Sequence, residues 1–171
     1  YSDYSEGWYL DEDSMPAEID PPFFYILKET TNYQQFEDYT YWLLKLLGIH
    51  EIHKFERQKG TADGFFKFNS MVVIYDTTLS RDLTAKDTQI DNYCDQLKKE
   101  SIHYQGKYVT MAGCRKQVWI VTRGTPRKIK EIDGIVVKEV PINSIISVYR
   151  DRLHKDIGED KLEDILKALG S

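Results

Sequence analysis

The sequence is short of the features that mark several large protein classes. Its 171 residues include only 2 cysteines and 5 prolines. Cys94 and Cys114 lack CxxC or Cys/His metal spacing, and such isolated thiols are typical of a reducing cytoplasm. No apolar run approaches the ~20 residues that a membrane-spanning helix requires. We therefore expect a soluble, cytoplasmic globular protein.

Familiar catalytic motifs and excess positive charge are also absent. The sequence has no Walker loop, no Rossmann glycine fingerprint and no Ser or Cys nucleophile motif. Its net charge is −5, whereas proteins that bind DNA strongly by themselves usually carry a basic surface. If DNA is the substrate, another protein is needed to hold it in place.

Hydrophobic periodicity predicts one domain, residues 1–171, in which strands and helices alternate unevenly. Residues 1–21, rich in acidic and aromatic side chains, are predicted to be an irregular N-terminal arm. The nearly continuous apolar run of residues 71–75 predicts a central strand covered on both faces. We expect an α/β fold with a mixed central β-sheet flanked by α-helices. The predicted helices are 32–47, 84–100, 142–155 and 159–169, and the predicted strands are 51–55 (or a bend), 65–68, 71–78, 108–112, 118–122 and 135–140.

Two aspartates occupy facing positions in the hairpin predicted between the second and third strands. We take Asn69 and Ser70 as its two-residue turn, since asparagine tolerates the positive φ that such turns need. Opposed residues then have numbers that sum to 139, as those of Asp63 and Asp76 do. At a separation of about 5 Å their carboxylates would repel by about 3 kcal/mol, and a divalent cation would turn that repulsion into a coordination site. The alternative is that these aspartates only mark strand ends and turns.

The stretch from Asp63 to Val-Ile-Tyr-Asp76-Thr-Thr78 resembles the PD-(D/E)xK nuclease motif. In that motif a strand-borne acid is followed, after a hairpin, by acid-x-Lys. The stretch looks particularly like the cleavage domains of type IIS restriction enzymes, and the helix carrying Gln89 fits their continuation. The resemblance covers roughly residues 31–101. It implies a restriction-endonuclease-like core.

The resemblance also implies roles for individual residues. Asp63 and Asp76 match the two metal-binding acids of the motif, and both are expected to be catalytic. Glu37 matches the additional acid that is frequent in the family, as a metal ligand or an orienter of water. The alternative for Glu37 is a solvated helix carboxylate.

Thr78 departs from the pattern, because it occupies the position of the motif lysine. A lysine there would orient water or stabilise charge on the phosphate. Threonine can hydrogen-bond a water but supplies no positive charge. Some nucleases of this class carry the lysine on another element, and the sequence does not choose among the candidates Lys54, Lys59 and Lys86.

As a whole, the chain is similar to the small subunits of heterodimeric type IIS restriction endonucleases, whose large subunits recognise DNA and nick one strand. This similarity implies a Mg²⁺-dependent endonuclease subunit, with Mn²⁺ able to substitute. It also implies a larger DNA-recognising nicking subunit as partner and double-stranded DNA as substrate. Two alternatives stay open. One is an autonomous DNA-repair nuclease or resolvase of the same fold, and the other is a non-catalytic interaction subunit.

A short basic stretch follows the strand predicted at 118–122. Gly124 and Pro126 predict a solvated loop there, with contact to a phosphate backbone as the alternative. The cations of this stretch are Arg123, Arg127, Lys128 and Lys130.

Overall fold

The computed structural model describes residues 20–171, so that residues 1–19 of the predicted N-terminal arm lie outside it. Within this range no helix has the length and apolar character needed to cross a bilayer. A short 3₁₀ turn, Thr84–Lys86, precedes the third helix. In chain order the elements are α1 (Phe23–Glu29), α2 (Tyr33–Leu46), β1 (Glu51–Lys54), β2 (Gly64–Phe68), β3 (Met71–Thr77), α3 (Asp87–Leu97), β4 (Ser101–Tyr104), β5 (Lys107–Thr110), β6 (Arg115–Thr122), β7 (Arg127–Ile132), β8 (Ile135–Pro141), α4 (Ile142–His154) and α5 (Glu159–Ala168).

Six strands form one mixed sheet in the order β1-β2-β3-β6-β8-β7. The central strands β3, β6 and β8 run parallel, whereas β1, β2 and β7 pair antiparallel with their neighbours. Strands β4 and β5 form a separate hairpin. The predicted α/β class with a mixed sheet flanked by helices is therefore confirmed, and so is the central position of β3.

Alternate residues of β3 enter two different cores, as the two-residue period of a strand requires. Val73 and Tyr75 belong to the core that α1, α2, α4 and α5 cover. Val72 and Ile74 belong to the core on the opposite face, which α3 and the β4–β5 hairpin cover. Burying a side chain such as valine or isoleucine contributes about 1.5–3 kcal/mol. The apolar run of β3 thus holds the helices on both faces of the sheet.

The basic stretch is not a loop over its whole length, because residues 127–132 form the edge strand β7. Its sequence, Arg-Lys-Ile-Lys-Glu-Ile, is rich in charge, and charged side chains are typical of edge strands that must not pair further. A register shift between Lys128 and Lys130 bends the strand. Hydrophobic periodicity also missed the short elements α1 and β4.

The hairpin register is the predicted one. Asn69 has a φ of 49°, and the paired residues of β2 and β3 run from Phe68 opposite Met71 to Gly64 opposite Tyr75. Each pair sums to 139, as expected from a turn at residues 69–70. The next position beyond the ladder belongs to Asp63 and Asp76.

Gly64 has no room for a side chain. A Cβ atom there would lie 2.4 Å from the His53 carbonyl oxygen and 2.7 Å from the Tyr75 hydroxyl. We expect Gly64→Ala to lower the free energy of unfolding by about 2–3 kcal/mol, because β1 and β2 must separate to admit the methyl group. Urea unfolding measures this. In the control Gly158→Ala, nothing lies within 4 Å of the new atom, and we expect a loss below about 1 kcal/mol. Equal losses would contradict the steric explanation.

Candidate active site

The two aspartates lie on the same face of the sheet, at the end of the β2–β3 ladder. Asp76 follows Ile74 by two residues, and Asp63 precedes Phe65 by two. Ile74 and Phe65 both belong to the core on the α3 side, so the period of the strands directs both acids to that side. Asp76 is only 4% exposed. A buried carboxylate in this position needs partners.

Asp63 accepts both of its side-chain hydrogen bonds from Thr77. The Thr77 amide nitrogen lies 2.7 Å and its Oγ1 2.6 Å from Asp63 Oδ2. The backbone of Asp63 is held separately, since its carbonyl accepts from the Phe55 amide at 3.0 Å. These contacts keep the Asp63 carboxylate beside the strand residue that follows Asp76.

Asp76 is held by two side chains from the 3₁₀ turn and helix α3, which follow β3 in the chain. Lys86 Nζ lies 2.6 Å and the Tyr93 hydroxyl 3.2 Å from Asp76 Oδ2. Lys86 is the last residue of the 3₁₀ turn, and Tyr93 lies on α3. Of the three candidate lysines, Lys86 makes this contact, whereas Lys54 pairs with Asp38 at 2.6 Å. The structure therefore selects Lys86 as the lysine beside the paired acids.

A single cavity of about 480 Å³ opens over these groups. All four residues that the motif singles out line it: Glu37, Asp63, Asp76 and Thr78. Gln89, Lys59 and Lys86 line it as well. Glu37 reaches the cavity from α2, which packs on the other face of the sheet, because the cavity lies where the strands end.

The cavity concentrates negative charge in a poorly solvated place. Burial, followed by the charges of Asp76 and Glu37, raises the pKa of the Asp63 carboxyl to about 7 in spite of its Thr77 hydrogen bonds. Burial also raises the pKa of Glu37, although Arg57 and Lys54 oppose this shift. Both shifts reflect the cost of ionising Asp63 and Glu37 in this poorly solvated cavity.

The donor set suits a hard divalent cation. The hydrogen bonds of Asp63 and Asp76 go to Oδ2 in each case, and among the described residues neither Oδ1 accepts one. Within residues 20–171 no group of three or more His, Cys, Asp and Glu side chains could hold a metal. Mg²⁺ is often bound through one or two carboxylates, with water as its other ligands. The two aspartates fit that mode, while Glu37 as a third ligand stays a prediction.

Tyr93 and Thr77 contribute to the site, although neither was assigned to it from the sequence. Tyr93 lies on the apolar stripe of α3 and is 1% exposed. A tyrosine in such a stripe needs a partner for its hydroxyl, and that requirement could have pointed to the site. Thr77 offered no comparable signal.

Among solved structures, the chain is similar to the small subunit of the heterodimeric restriction endonuclease R.BspD6I. The sequences are 14% identical, and the match covers 85% of this chain and 93% of that chain with a TM-score of 0.44. No protein-family model matches the sequence, and no curated protein matches it. At these values the similarity carries no inference about activity.

The raised pKa of Asp63 predicts a pH dependence of stability in the absence of metal. Between about pH 4 and pH 7 the folded protein holds a proton that the unfolded chain has released. The stability contributed by this group therefore falls as the pH rises through that window, by on the order of a few kcal/mol. In Asp63→Asn this contribution should disappear. Urea unfolding of both proteins across this range, with chelator present, measures the difference; parallel pH profiles would contradict the assignment.

Proposed function

We propose that this protein is a metal-dependent endonuclease subunit that hydrolyses one strand of duplex DNA. The observation that carries this proposal is the convergence of Asp63, Asp76 and Lys86 in one open cavity. The two aspartates stand where the PD-(D/E)xK motif has its acids. Lys86 brings the positive charge that Thr78 lacks, from a different element.

In this proposal Asp63 and Asp76 would hold Mg²⁺, with Mn²⁺ as a substitute, through their Oδ1 atoms, which accept no hydrogen bond from residues 20–171. When bound, the ion supplies Lewis-acid polarisation of a phosphoryl oxygen and lowers the pKa of a coordinated water. Thr77 and Tyr93 keep the two carboxylates in position by donating hydrogen bonds to the other oxygens. The chain thus provides a preorganised pair of anionic ligands.

Three further side chains act on the phosphate and on water. Lys86 stabilises negative charge that develops on the phosphate during hydrolysis. Glu37, whose pKa burial raises, orients the attacking water and accepts its proton, because a carboxyl with a raised pKa is a better base near neutral pH. Thr78 lines the cavity and offers a hydroxyl to a water or a phosphate oxygen.

The partner in this proposal is a larger subunit that recognises and nicks double-stranded DNA. The net charge of −5 supports such a partner, since a strongly DNA-binding protein usually carries excess positive charge. A recruited subunit needs little affinity for DNA of its own. An autonomous repair nuclease or resolvase would need a basic surface large enough to bind duplex DNA unaided.

Asp76→Asn tests the metal site, because it removes the charge and preserves the shape of the side chain. With the partner subunit, duplex DNA and Mg²⁺, we expect cleavage of this subunit's strand to fall by at least about a hundredfold. Gel analysis of the two strands, labelled separately, measures this. Asp95→Asn is the matched control, because Asp95 is an exposed α3 aspartate whose one ion pair among residues 20–171 is with Lys98. Undiminished cutting by Asp76→Asn would sink the assignment.

Metal titration separates the enzyme from a non-catalytic subunit. Calorimetry with Mg²⁺ or Mn²⁺ should show binding to the wild-type chain that Asp76→Asn loses and Asp95→Asn keeps. If the wild-type chain binds neither ion, the Lys86 ammonium is the permanent counterion of Asp76. The protein would then be an interaction subunit that has the fold without the chemistry.

Lys86→Met tests the displaced lysine. We expect a fall in the cleavage rate of about 10²–10³-fold with metal binding retained, because the lost charge acts on the phosphate. Lys86→Arg should recover part of the rate. Lys130→Met is the control, since it also breaks an ion pair, that with Asp91 at 2.8 Å, but lies outside the lining of the cavity. Equal rates for Lys86→Met and Lys130→Met, in proteins of equal folded fraction, would contradict the role of Lys86.

A further inference from the structure

A second groove, of about 700 Å³, continues from the active-site cavity and shares Leu79 with it. Its walls come from the chain after β3 and after β6, and from the facing parts of β7 and β8. The strands β3, β6 and β8 are parallel, so the groove lies at their carboxyl ends. Ligands of sheets with this topology commonly bind at such an edge.

The groove carries three arginines, Arg81, Arg123 and Arg127, against a single carboxylate, that of Glu139. Glu139 is 7% exposed. Its Oε1 accepts from the Thr122 hydroxyl at 2.8 Å, and its Oε2 accepts from Arg127 Nε at 2.7 Å. The one negative charge is therefore already matched inside the groove, and the excess there is positive.

Arg127 and Arg123 are held in place by other parts of the fold. The Arg127 side chain is 56% exposed and donates from Nε to Glu139. Its two terminal nitrogens make no hydrogen bond to the described residues. Arg123 donates from Nε to the Leu27 carbonyl at 3.0 Å and from Nη2 to the Thr30 carbonyl. Both arginines are thus rigid positive charges, and a rigid guanidinium loses little entropy when it binds an anion.

Arg81 is the uncompensated charge of the groove. It is exposed, and among residues 20–171 no carboxylate pairs with it. Two cations of the basic stretch, Lys128 and Lys130, pair with Glu131 and Asp91 and do not line the groove. The other two, Arg123 and Arg127, line it together with Arg81.

We propose that this groove binds the phosphodiester backbone of DNA on the strand next to the phosphate that is cut. The proposal rests on the nuclease function proposed above and names the surface that guides the substrate into the cavity. Guanidinium groups match phosphate oxygens with paired hydrogen bonds, and contacts to phosphate position a duplex without reading its sequence. A local basic groove also reconciles substrate binding with the acidic net charge of the chain.

Arg81→Gln provides the test, because the side chain makes no ion pair within the part of the chain that the structure describes, so its loss should not disturb the fold there. Binding of a fluorescent DNA duplex is followed by anisotropy at low salt and in chelator, so that no cleavage occurs. We expect the affinity to fall about three- to tenfold and the slope of log K against log[salt] to shrink by roughly 0.9. Lys107→Gln is the matched control, since it removes the same charge from an exposed residue of β5 that does not line the groove. It should behave as the wild type.

Three results would overturn the proposal. The first is equal duplex binding by Arg81→Gln and Lys107→Gln. The second is no measurable binding by the wild type at low salt. The third is that Arg81→Gln leaves duplex binding unchanged but weakens the association of the chain with a protein partner, which would make the groove a protein-docking surface. Failure of the nuclease function is a separate result, because Asp76→Asn would then cut DNA normally while the effect of Arg81→Gln on binding remained.

Discussion

The site depends on the confinement of two carboxylates on one face of a sheet, at the end of a hairpin ladder. Asp63 and Asp76 occupy the position after the last paired residues of β2 and β3. Neighbouring strands allow little separation there, and burial withholds the water that would screen the charges. The pKa of Asp63 rises to about 7 as a result. The polar contacts from Thr77, Tyr93 and Lys86 offset part of the free-energy cost of placing the two carboxylates there.

The fold treats the two acids differently. Asp63 receives hydrogen bonds from the amide and the hydroxyl of Thr77, whereas Asp76 receives an ammonium from Lys86 and a phenol from Tyr93. One acid is therefore stabilised by neutral dipoles and the other by a full charge. The Thr78 Oγ1 accepts a hydrogen bond from the Ser80 amide at 3.1 Å, in the turn that leaves β3.

Local sequence features predicted the parts of the site that depend on local geometry. A turn at Asn69 determines the hairpin register, so the alignment of the two aspartates followed from counting residues. The choice among lysines could not follow in this way, because Lys86 meets Asp76 only when α3 packs on the sheet. The edge strand β7 escaped prediction since its outer position leaves it few apolar residues. Helix α1 escaped as well, being 7 residues long with no side-chain cap.

The placement of β3 within the sheet has a consequence for any attempt to shorten the protein. Every side chain assigned to the site lies between Glu37 and Tyr93, so a fragment of that span would contain all of them. Yet the backbone that bears Asp76 pairs on one side with β6 along its whole length, and the Thr78 amide donates to the Val121 carbonyl at 3.0 Å. Without the second half of the chain, β3 would become an exposed edge strand, and its free backbone groups could pair with other chains. The reactive groups lie close together in sequence, but the strand that carries Asp76 is held in place by β6, which lies outside their span.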